Sequence, residues 1–296
     1  MKFSIAQASR IGGRPENEDR VGHWSTPGAA LMAVADGLGG HLHGEIAAQI
    51  AVELFGAVFR REAQPRLADP AAFLARAMNA AHAAILREGQ RLDLPETPRT
   101  VIVACVVQDG HAWWMHIGDC RLYFIRAGRI LSRTRDHTVV QRLVDEGRIR
   151  EEAISSHPER NRLLQCLGGY LAPDPGAPER ARLAKGDVLL LCSDGFWGPL
   201  TQRQMIHALL ARQLEHAIPE LAQLAEQRGG PACDNISALA MAWGEEELEP
   251  SGPVEEPTLV QDFTATDLDF MHMSDEDIEK AIDELRAALR KNVPPR

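Results

Sequence analysis

Residues 101–125 have the sequence VIVACVVQDGHAWWMHIGDCRLYFI. The β-branched and aromatic residues in this stretch predict three consecutive strands, at 101–108, 112–117 and 121–125. Asp109-Gly110, and Ala127-Gly128 just beyond the third strand, are typical of the tight turns that join antiparallel neighbours. Strands joined by hairpins indicate an antiparallel sheet and make parallel βαβ winding less favoured.

The same pattern extends outward along the chain in both directions. Helical periodicity is clearest at 45–61, where Ile46, Ile50, Leu54 and Val58 recur every four residues. Because strands cluster and helices come in long blocks between them, the sequence predicts an α+β fold of antiparallel sheets covered by helices. Further strands are predicted at 3–8, 30–35, 187–192 and 236–243, and further helices at 70–91, 137–146, 202–212 and 219–228.

The charge of the chain is unevenly distributed. The 296 residues carry a formal net charge of −10, with 45% hydrophobic and 25% charged residues, a balance typical of a folded globular protein. Residues 1–244 contain 27 acidic and 27 basic side chains, whereas residues 245–296 contain 15 acidic and 5 basic ones. An acidic sum argues against nucleic acid or an anionic membrane as a partner.

The acidic end of the chain is predicted to form two segments beyond a body at 1–244. Prolines and repelling carboxylates at 245–257 favour an extended linker, which we place at 245–273. Residues 274–291 have acids at the start, bases at the end and one apolar face, and this predicts an amphipathic helix. The helix either docks on its own body or is solvated, or it binds a protein partner. A third alternative is that the tail inhibits the body through its carboxylates or through Thr264 or Thr266.

The cysteines and the apolar runs restrict the cellular setting. Five scattered cysteines with no C-x-x-C pair argue against a zinc site or a disulfide framework. Residues 1–10 lack the pattern of a signal peptide, and no apolar run approaches the length of a membrane span. We therefore expect a reduced, cytoplasmic protein with no membrane span.

Short acidic motifs stand where strands end or turns begin. Asp36 and Asp194 each follow an apolar strand and precede a glycine, so each side chain projects from a rigid element. Taken singly, such a motif is a turn or a helix cap. Together, carboxylates without neighbouring bases repel one another unless a hard divalent cation such as Mg²⁺ or Mn²⁺ lies among them. The motifs are RPENED at 14–19, DGLGGH at 36–41, GD at 118–119, SDG at 193–195 and DN at 234–235.

This succession of motifs resembles the metal-dependent Ser/Thr protein phosphatases of the PP2C (PPM) family in their bacterial form. The resemblance covers roughly residues 3–243 and includes DHT at 136–138 and HPERN at 157–161. It implies an αββα four-layer sandwich of two antiparallel sheets with a binuclear Mn²⁺ or Mg²⁺ site at one end. It also implies direct hydrolysis of phosphoserine and phosphothreonine by a metal-bridging water, with phosphoproteins, a Ser/Thr kinase and the kinase's targets as partners.

The resemblance further implies roles for individual residues. Asp36 is expected to bridge two metals, Asp194 and Asp234 to complete one, and Glu18 with the carbonyl of Gly37 to serve the other.

Four more positions match the family's site. Asp119 resembles the ligand of a third, weaker metal that is found in bacterial members. Asp119 and Asp194 would share this metal. Arg14 matches the arginine that holds the substrate phosphate, since its planar fork fits phosphate oxygens. Asp19 and Asn235 match supporting groups beside the ligands.

The proton donor is less well determined. Animal members have a histidine directly after Asp-Gly, but here Leu38 follows, and the nearest histidine is His41. His41 suits general acid catalysis by its usual pKa, and a structural or solvent-facing role is the alternative. Residues 138–182 are expected to contain the flap beside the site, with no ligand for the third metal assignable there.

Two other functions compete with this interpretation. Cys120 and Arg126 satisfy the C-x₅-R spacing of cysteine-dependent phosphatases, but the residues between them lack glycine and alternate as in a strand. A phosphoprotein-binding module without catalysis is the other alternative. It is disfavoured because the predicted ligands Glu18, Asp36, Asp194 and Asp234 are all present.

Overall fold

The apolar runs and periodic segments form ten strands and six α-helices in the residues that the computed structural model describes, which are 1–38, 43–154 and 157–244. The strands are β1 (Phe3–Arg10), β2 (Arg20–Ser25), β3 (Ala29–Gly37), β4 (Thr100–Gln108), β5 (His111–Ile117), β6 (Arg121–Arg126), β7 (Arg129–Arg133), β8 (Glu179–Arg182), β9 (Val188–Cys192) and β10 (Ile236–Trp243). The helices are α1 (Gly44–Glu62), α2 (Pro70–Arg91), α3 (Val139–Asp145), α4 (Asp194–Trp197), α5 (Gln202–Ala211) and α6 (Leu214–Gly229).

The strands make two antiparallel sheets that pack face to face. One sheet has the order β1-β10-β9-β6-β7 and the other β2-β3-β4-β5-β8. Helices α1 and α2 cover the second sheet, and α4, α5 and α6 cover the first. The predicted αββα sandwich is therefore confirmed, and an apolar layer fills each of its three interfaces.

The central strands are apolar throughout because their side chains point to two faces that are both buried. In β4, Ile102 and Ala104 pack towards the helices, whereas Val101 and Val103 pack between the two sheets. Successive side chains of a strand point to opposite faces, and both faces of this sheet are covered, so neither face needs polar residues.

The two predicted hairpins are present. Asp109 and Gly110 join β4 to β5 with φ of 49° and 69°, and Ala127 and Gly128 join β6 to β7 with φ of 46° and 73°. A positive φ at both central residues is the conformation that matches the twist of paired antiparallel strands.

No range was predicted for three strands, which all lie at the sheet edges, although the turn that leads into β7 was predicted. β2, β7 and β8 are edge strands with polar, partly exposed residues, so the apolar signal that marks the central strands is absent. Helix α6 also starts before the predicted position, at Leu214 instead of Pro219. Burial of Leu214 and Ile218 against the sheet outweighs the hydrogen bond that Pro219 cannot donate.

Several predictions fall on other parts of the chain. His41, the linker at 245–273 and the amphipathic helix at 274–291 lie outside the described residues. Within the described ranges, no helix is both long enough and apolar enough to cross a bilayer.

Gly118 is expected to be essential to the fold, because its φ is +95° and a Cβ there would lie 2.0 Å from Val101 Cγ1. We predict that Gly118→Ala lowers the free energy of unfolding by about 3 kcal/mol, from left-handed strain and overpacking together. Gly110→Ala is the matched control, since its φ is +69° and a Cβ there meets nothing within 4 Å. The control should lose only about 1 kcal/mol in urea denaturation, and equal losses would contradict the prediction.

Candidate metal centre

The predicted ligands lie at one end of the sandwich because of the strand directions. Asp36 is near the end of β3, Asp119 and Asp194 follow β5 and β9, and Glu18 and Asp234 precede β2 and β10. Antiparallel pairing places the starts of β2 and β10 beside the ends of β3 and β9. Chain segments that are far apart in sequence therefore present their carboxylates to the same place.

A cavity of about 250 Å³ opens between these strand ends. Most of the predicted site residues that the structure describes line it, and Asp19 is buried at 3% exposure without being part of the wall. Asn161 and Leu163 complete the wall from the segment that was expected to hold the flap. The predicted residues in the wall are Arg14, Glu18, Asp36, Gly37, Asp119, Asp194, Asp234 and Asn235.

The carboxyl groups around the cavity are hard to ionise in the protein alone. Burial raises the pKa of Asp36 and Asp119 well above the usual value, and neighbouring carboxylates raise both further. The same two causes raise the pKa of Asp194 to about 6. Burial likewise raises the pKa of Asp19, to about 7, against the opposing effect of its hydrogen bonds. For Glu18, burial and then the charge of Glu45 raise the pKa.

The charged groups around the cavity also affect one another. The charge of Asp194 is among the causes that raise the pKa of Asp36. Arg14 is the one cationic side chain among the cavity-lining residues of the described ranges, and its Nη2 atom lies 2.7 Å from Asp234 Oδ2. That carboxylate is the main cause of the raised pKa of Arg14.

Asn235 ties the loop that carries Glu18 to the start of β10. Its Oδ1 accepts a 2.8 Å hydrogen bond from the Glu18 backbone N–H, and its Nδ2 donates to the carbonyls of Ile11 and Glu16 at 2.8 and 2.9 Å. All polar atoms of the amide are thus engaged, and the loop is held in one position.

Asp19 is linked to the other sheet through a serine. Ser193 Oγ donates to Asp19 Oδ2 at 2.8 Å and accepts from the Ser237 backbone N–H at 3.0 Å. Because Asp19 precedes β2 and Ser237 lies in β10, these bonds fix the two sheets to each other beside the cavity.

Thr100, Asn161 and Leu163 were missed as site residues. Thr100 pairs with Gly37, and its hydroxyl donates a 2.7 Å hydrogen bond to the carbonyl of Asp36. Asn161 belongs to a motif that the sequence contains, but no spacing indicates that it would reach the cavity. No sequence signal marks these three residues, because strand pairing and loop packing, rather than a local sequence pattern, place them at the site.

The donor set fits a hard divalent cation. Three carboxylate oxygens, Glu18 Oε2, Asp19 Oδ1 and Asp194 Oδ1, are buried without a hydrogen-bond partner. Carboxylate and carbonyl oxygens are the ligands that Mg²⁺ and Mn²⁺ prefer. In the described part of the chain no three His, Cys, Asp or Glu side chains are yet gathered at ligating distance, and Asp234 is paired with Arg14. Binding therefore requires side-chain shifts.

The cysteine-phosphatase alternative is excluded by the structure. Cys120 is fully buried and burial raises its pKa well above the usual value, so it is neither accessible nor readily ionised. Residues 121–126 form strand β6 rather than a phosphate-binding loop.

Comparison with known proteins identifies the family. The family model described as protein phosphatase 2C matches residues 6–227. The chain belongs to the protein phosphatase 2C family. The match covers every strand from β2 to β9 and all but the end of α6, and so includes most of the cavity wall.

Individual members of the protein phosphatase 2C family are moderately similar. The serine/threonine protein phosphatase PstP of Mycobacterium tuberculosis is 34% identical over 226 residues, which is 76% of this chain and 42% of that protein. The chain thus spans less than half of the length of this relative. A putative protein phosphatase 2C-type of Streptococcus pyogenes is 30% identical over 79% of this chain and 94% of its own length.

A solved structure supports the fold assignment within this family. The catalytic domain of PstP in complex with two manganese ions superposes with a TM-score of 0.69 at 30% identity, covering 81% of this chain and 97% of that one.

Asp194→Asn should stabilise the metal-free protein at pH 7.5. The pKa of Asp194 is raised to about 6 in the folded protein from its ordinary value of 3.8, so its ionisation above pH 6 costs folding free energy. Removing the charge should raise the free energy of unfolding in EDTA by about 1–3 kcal/mol. The gain should shrink as the pH falls through 6, because the folded wild type then takes up the proton.

Thermal and urea denaturation in EDTA at pH 7.5 and pH 5 measure this effect. Asp109→Asn is the control, because Asp109 lies in the hairpin turn at the opposite end of β4 and asparagine suits that turn. If Asp194→Asn is less stable than wild type at pH 7.5 in EDTA, ionisation of Asp194 does not destabilise the metal-free protein.

Proposed function

We propose that the chain is a metal-dependent phosphatase that hydrolyses phosphoserine and phosphothreonine in proteins. One observation carries the proposal: carboxylates from both sheets and the guanidinium of Arg14 line the same 250 Å³ cavity. The names of the relatives, serine/threonine protein phosphatase and protein phosphatase 2C-type, support the reaction.

The residues proposed to hold two cations are those that the family resemblance implies, and they line this cavity. Asp36 would bridge them, Asp194 and Asp234 would complete one, and Glu18 with the carbonyl of Gly37 would serve the other. When bound, Mn²⁺ or Mg²⁺ ions supply charge neutralisation at the phosphoryl oxygens and lower the pKa of the attacking water. Two manganese ions in the PstP catalytic domain support the number and the metal.

Arg14 would bind the phosphate group. Its side chain is 46% exposed at the cavity and is directed towards Asp234 through one of its terminal nitrogens. Once Asp234 turns to a cation, the guanidinium fork is free to form paired hydrogen bonds with two phosphoryl oxygens. The substrate is thereby oriented beside the carboxylates.

The described residues that line the cavity include no serine, threonine or cysteine. Ser193 is fully buried, and its hydroxyl both donates to Asp19 and accepts from Ser237. Direct attack by water, without a phosphoenzyme, is therefore the proposed route. His41 is proposed to protonate the leaving alkoxide.

Partners and location complete the proposal. Phosphoproteins are the substrates, and a cytoplasmic Ser/Thr kinase together with its targets is the class that such an enzyme opposes. Asp119 and Asp194 are proposed to hold a third, weaker cation between them.

Asp36→Asn should abolish hydrolysis of a phosphothreonine peptide, because the proposed bridge between the two cations loses its charge. We expect at least a 10³-fold fall in kcat/KM, or about 4 kcal/mol, measured by phosphate release in MnCl₂ with EDTA as the metal-free reference. The control Asp109→Asn should retain wild-type activity.

The alternatives give different results. Wild-type protein that binds the phosphopeptide but releases no phosphate in Mn²⁺ or Mg²⁺ is a binding module. Full activity of the Asp36 variant would remove the proposed metal bridge.

Truncation after Gly244 should leave kcat/KM on p-nitrophenyl phosphate within twofold of the full chain. All of the described cavity wall lies before this point, and the Gly244 N–H closes the body by a 2.8 Å hydrogen bond to the carbonyl of Lys2. A severalfold rise in activity would instead show that residues 245–296 inhibit the site. Loss of a bound protein in pull-down, with kinetics unchanged, would support partner binding by the proposed helix at 274–291.

A further inference from the structure

Asp119 and Asp194 lie just beyond the paired residues of strands β6 and β9. Strands β6 and β9 pair with Arg121 opposite Cys192, and the same register continued by two residues would place Asp119 opposite Asp194. Pairing ends at Arg121 and Cys192, so no ladder hydrogen bond holds the two acidic residues at a set distance. Two carboxylates so placed repel each other in a site shielded from water.

One side chain bridges the two segments. Helix α4 begins with Asp194 and ends with Trp197, and the Trp197 indole Nε1–H donates a 3.0 Å hydrogen bond to the backbone carbonyl of Asp119. The turn between Asp194 and Trp197 is itself fixed, because the Gly198 N–H donates to the Asp194 carbonyl at 2.7 Å. The indole therefore connects the backbone of one acidic residue to the helix that begins with the other.

The indole is in turn held by Arg121. The guanidinium carbon lies 3.3 Å from the centre of the Trp197 ring, a close cation–π contact. Asp136 accepts two hydrogen bonds from that guanidinium at 2.7 and 2.8 Å, and Tyr123 accepts a third at 3.1 Å. With Arg121 and Asp136 side chains only 7% and 3% exposed, the guanidinium is a fixed platform beneath the indole.

We propose that Trp197 is a positioning residue, whose indole N–H sets the distance between Asp119 and Asp194 so that a divalent cation binds between them. This inference rests on the proposed function, which makes these two carboxylates the ligands of the weaker cation. Trp197 itself is not among the described residues that line the cavity. It acts by fixing the Asp119 backbone, as outer hydrogen bonds around metal ligands do.

The test compares two tryptophans. Trp197→Phe keeps an aromatic ring over Arg121 but removes the hydrogen bond to Asp119. Trp114→Phe is the matched control, because its Nε1 is buried between the sheets with no hydrogen-bond partner. Calorimetric titration of the metal-free full chain with MnCl₂ gives the dissociation constant of each binding step.

We expect Trp197→Phe to weaken the weaker Mn²⁺ step about tenfold and to leave the tighter step unchanged. Trp114→Phe should change neither step. In the Asp119→Asn background, Trp197→Phe should have no further effect on Mn²⁺ binding, because the residue it positions has lost its charge. A purely structural role would give additive losses instead.

A second variant guards against misfolding. Replacing Trp197 with 3-benzothienylalanine keeps the bicyclic ring and removes only the N–H donor, and it should weaken the same step. Wild-type affinity, within twofold, in both Trp197 variants would overturn the proposal, as would the absence of a weaker Mn²⁺ step in the wild type. Weakened Mn²⁺ binding in a protein that cleaves no phosphopeptide would uphold the positioning role and reject the phosphatase function.

Discussion

Repulsion among carboxylates that two sheets bring to one cavity is the constraint on which the rest of this structure depends. Glu18 and Asp36 belong to segments of one sheet, Asp194 and Asp234 to the other, and Asp119 lies on the connection between the sheets. Burial and neighbouring charge both oppose their ionisation, so folding alone gains nothing from placing them together. The three apolar layers must supply the stability that holds them there.

Neutral hydrogen-bond donors and acceptors support the site without cancelling its charge. Asn235 fixes the loop before β2, Thr100 fixes the carbonyl of Asp36, and Ser193 joins Asp19 to the neighbouring strand. Trp197 does the same for Asp119 through an indole N–H. Since these groups carry no charge, the negative potential of the cavity stays available to a cation. Permanent pairing of each carboxylate with Lys or Arg would stabilise the metal-free protein and block the ligands.

Most elements of the fold could be predicted from the sequence, whereas an edge strand and some residues of the site could not. Strand β4, helix α2 and the turn at Asp109-Gly110 were predicted because each depends on residues that are close together in the chain. Edge strand β2 was missed because its residues are polar or only partly buried, so it lacks the apolar run of a central strand. Thr100 was missed because its role comes from pairing with Gly37, more than sixty positions earlier.

By itself, the sequence determined the class of fold, the antiparallel hairpins and the acid-rich motifs whose order resembles one phosphatase family. These features depend on local periodicity, turn conformation and residue chemistry, all of which are present before the chain folds. Only the tertiary structure decided that Asn161 reaches the cavity, that Cys120 is buried in a core, and that Trp197 bonds to the backbone of Asp119. Such contacts arise where sheets and loops pack across long separations in sequence, and their geometry follows from the packing of the whole domain.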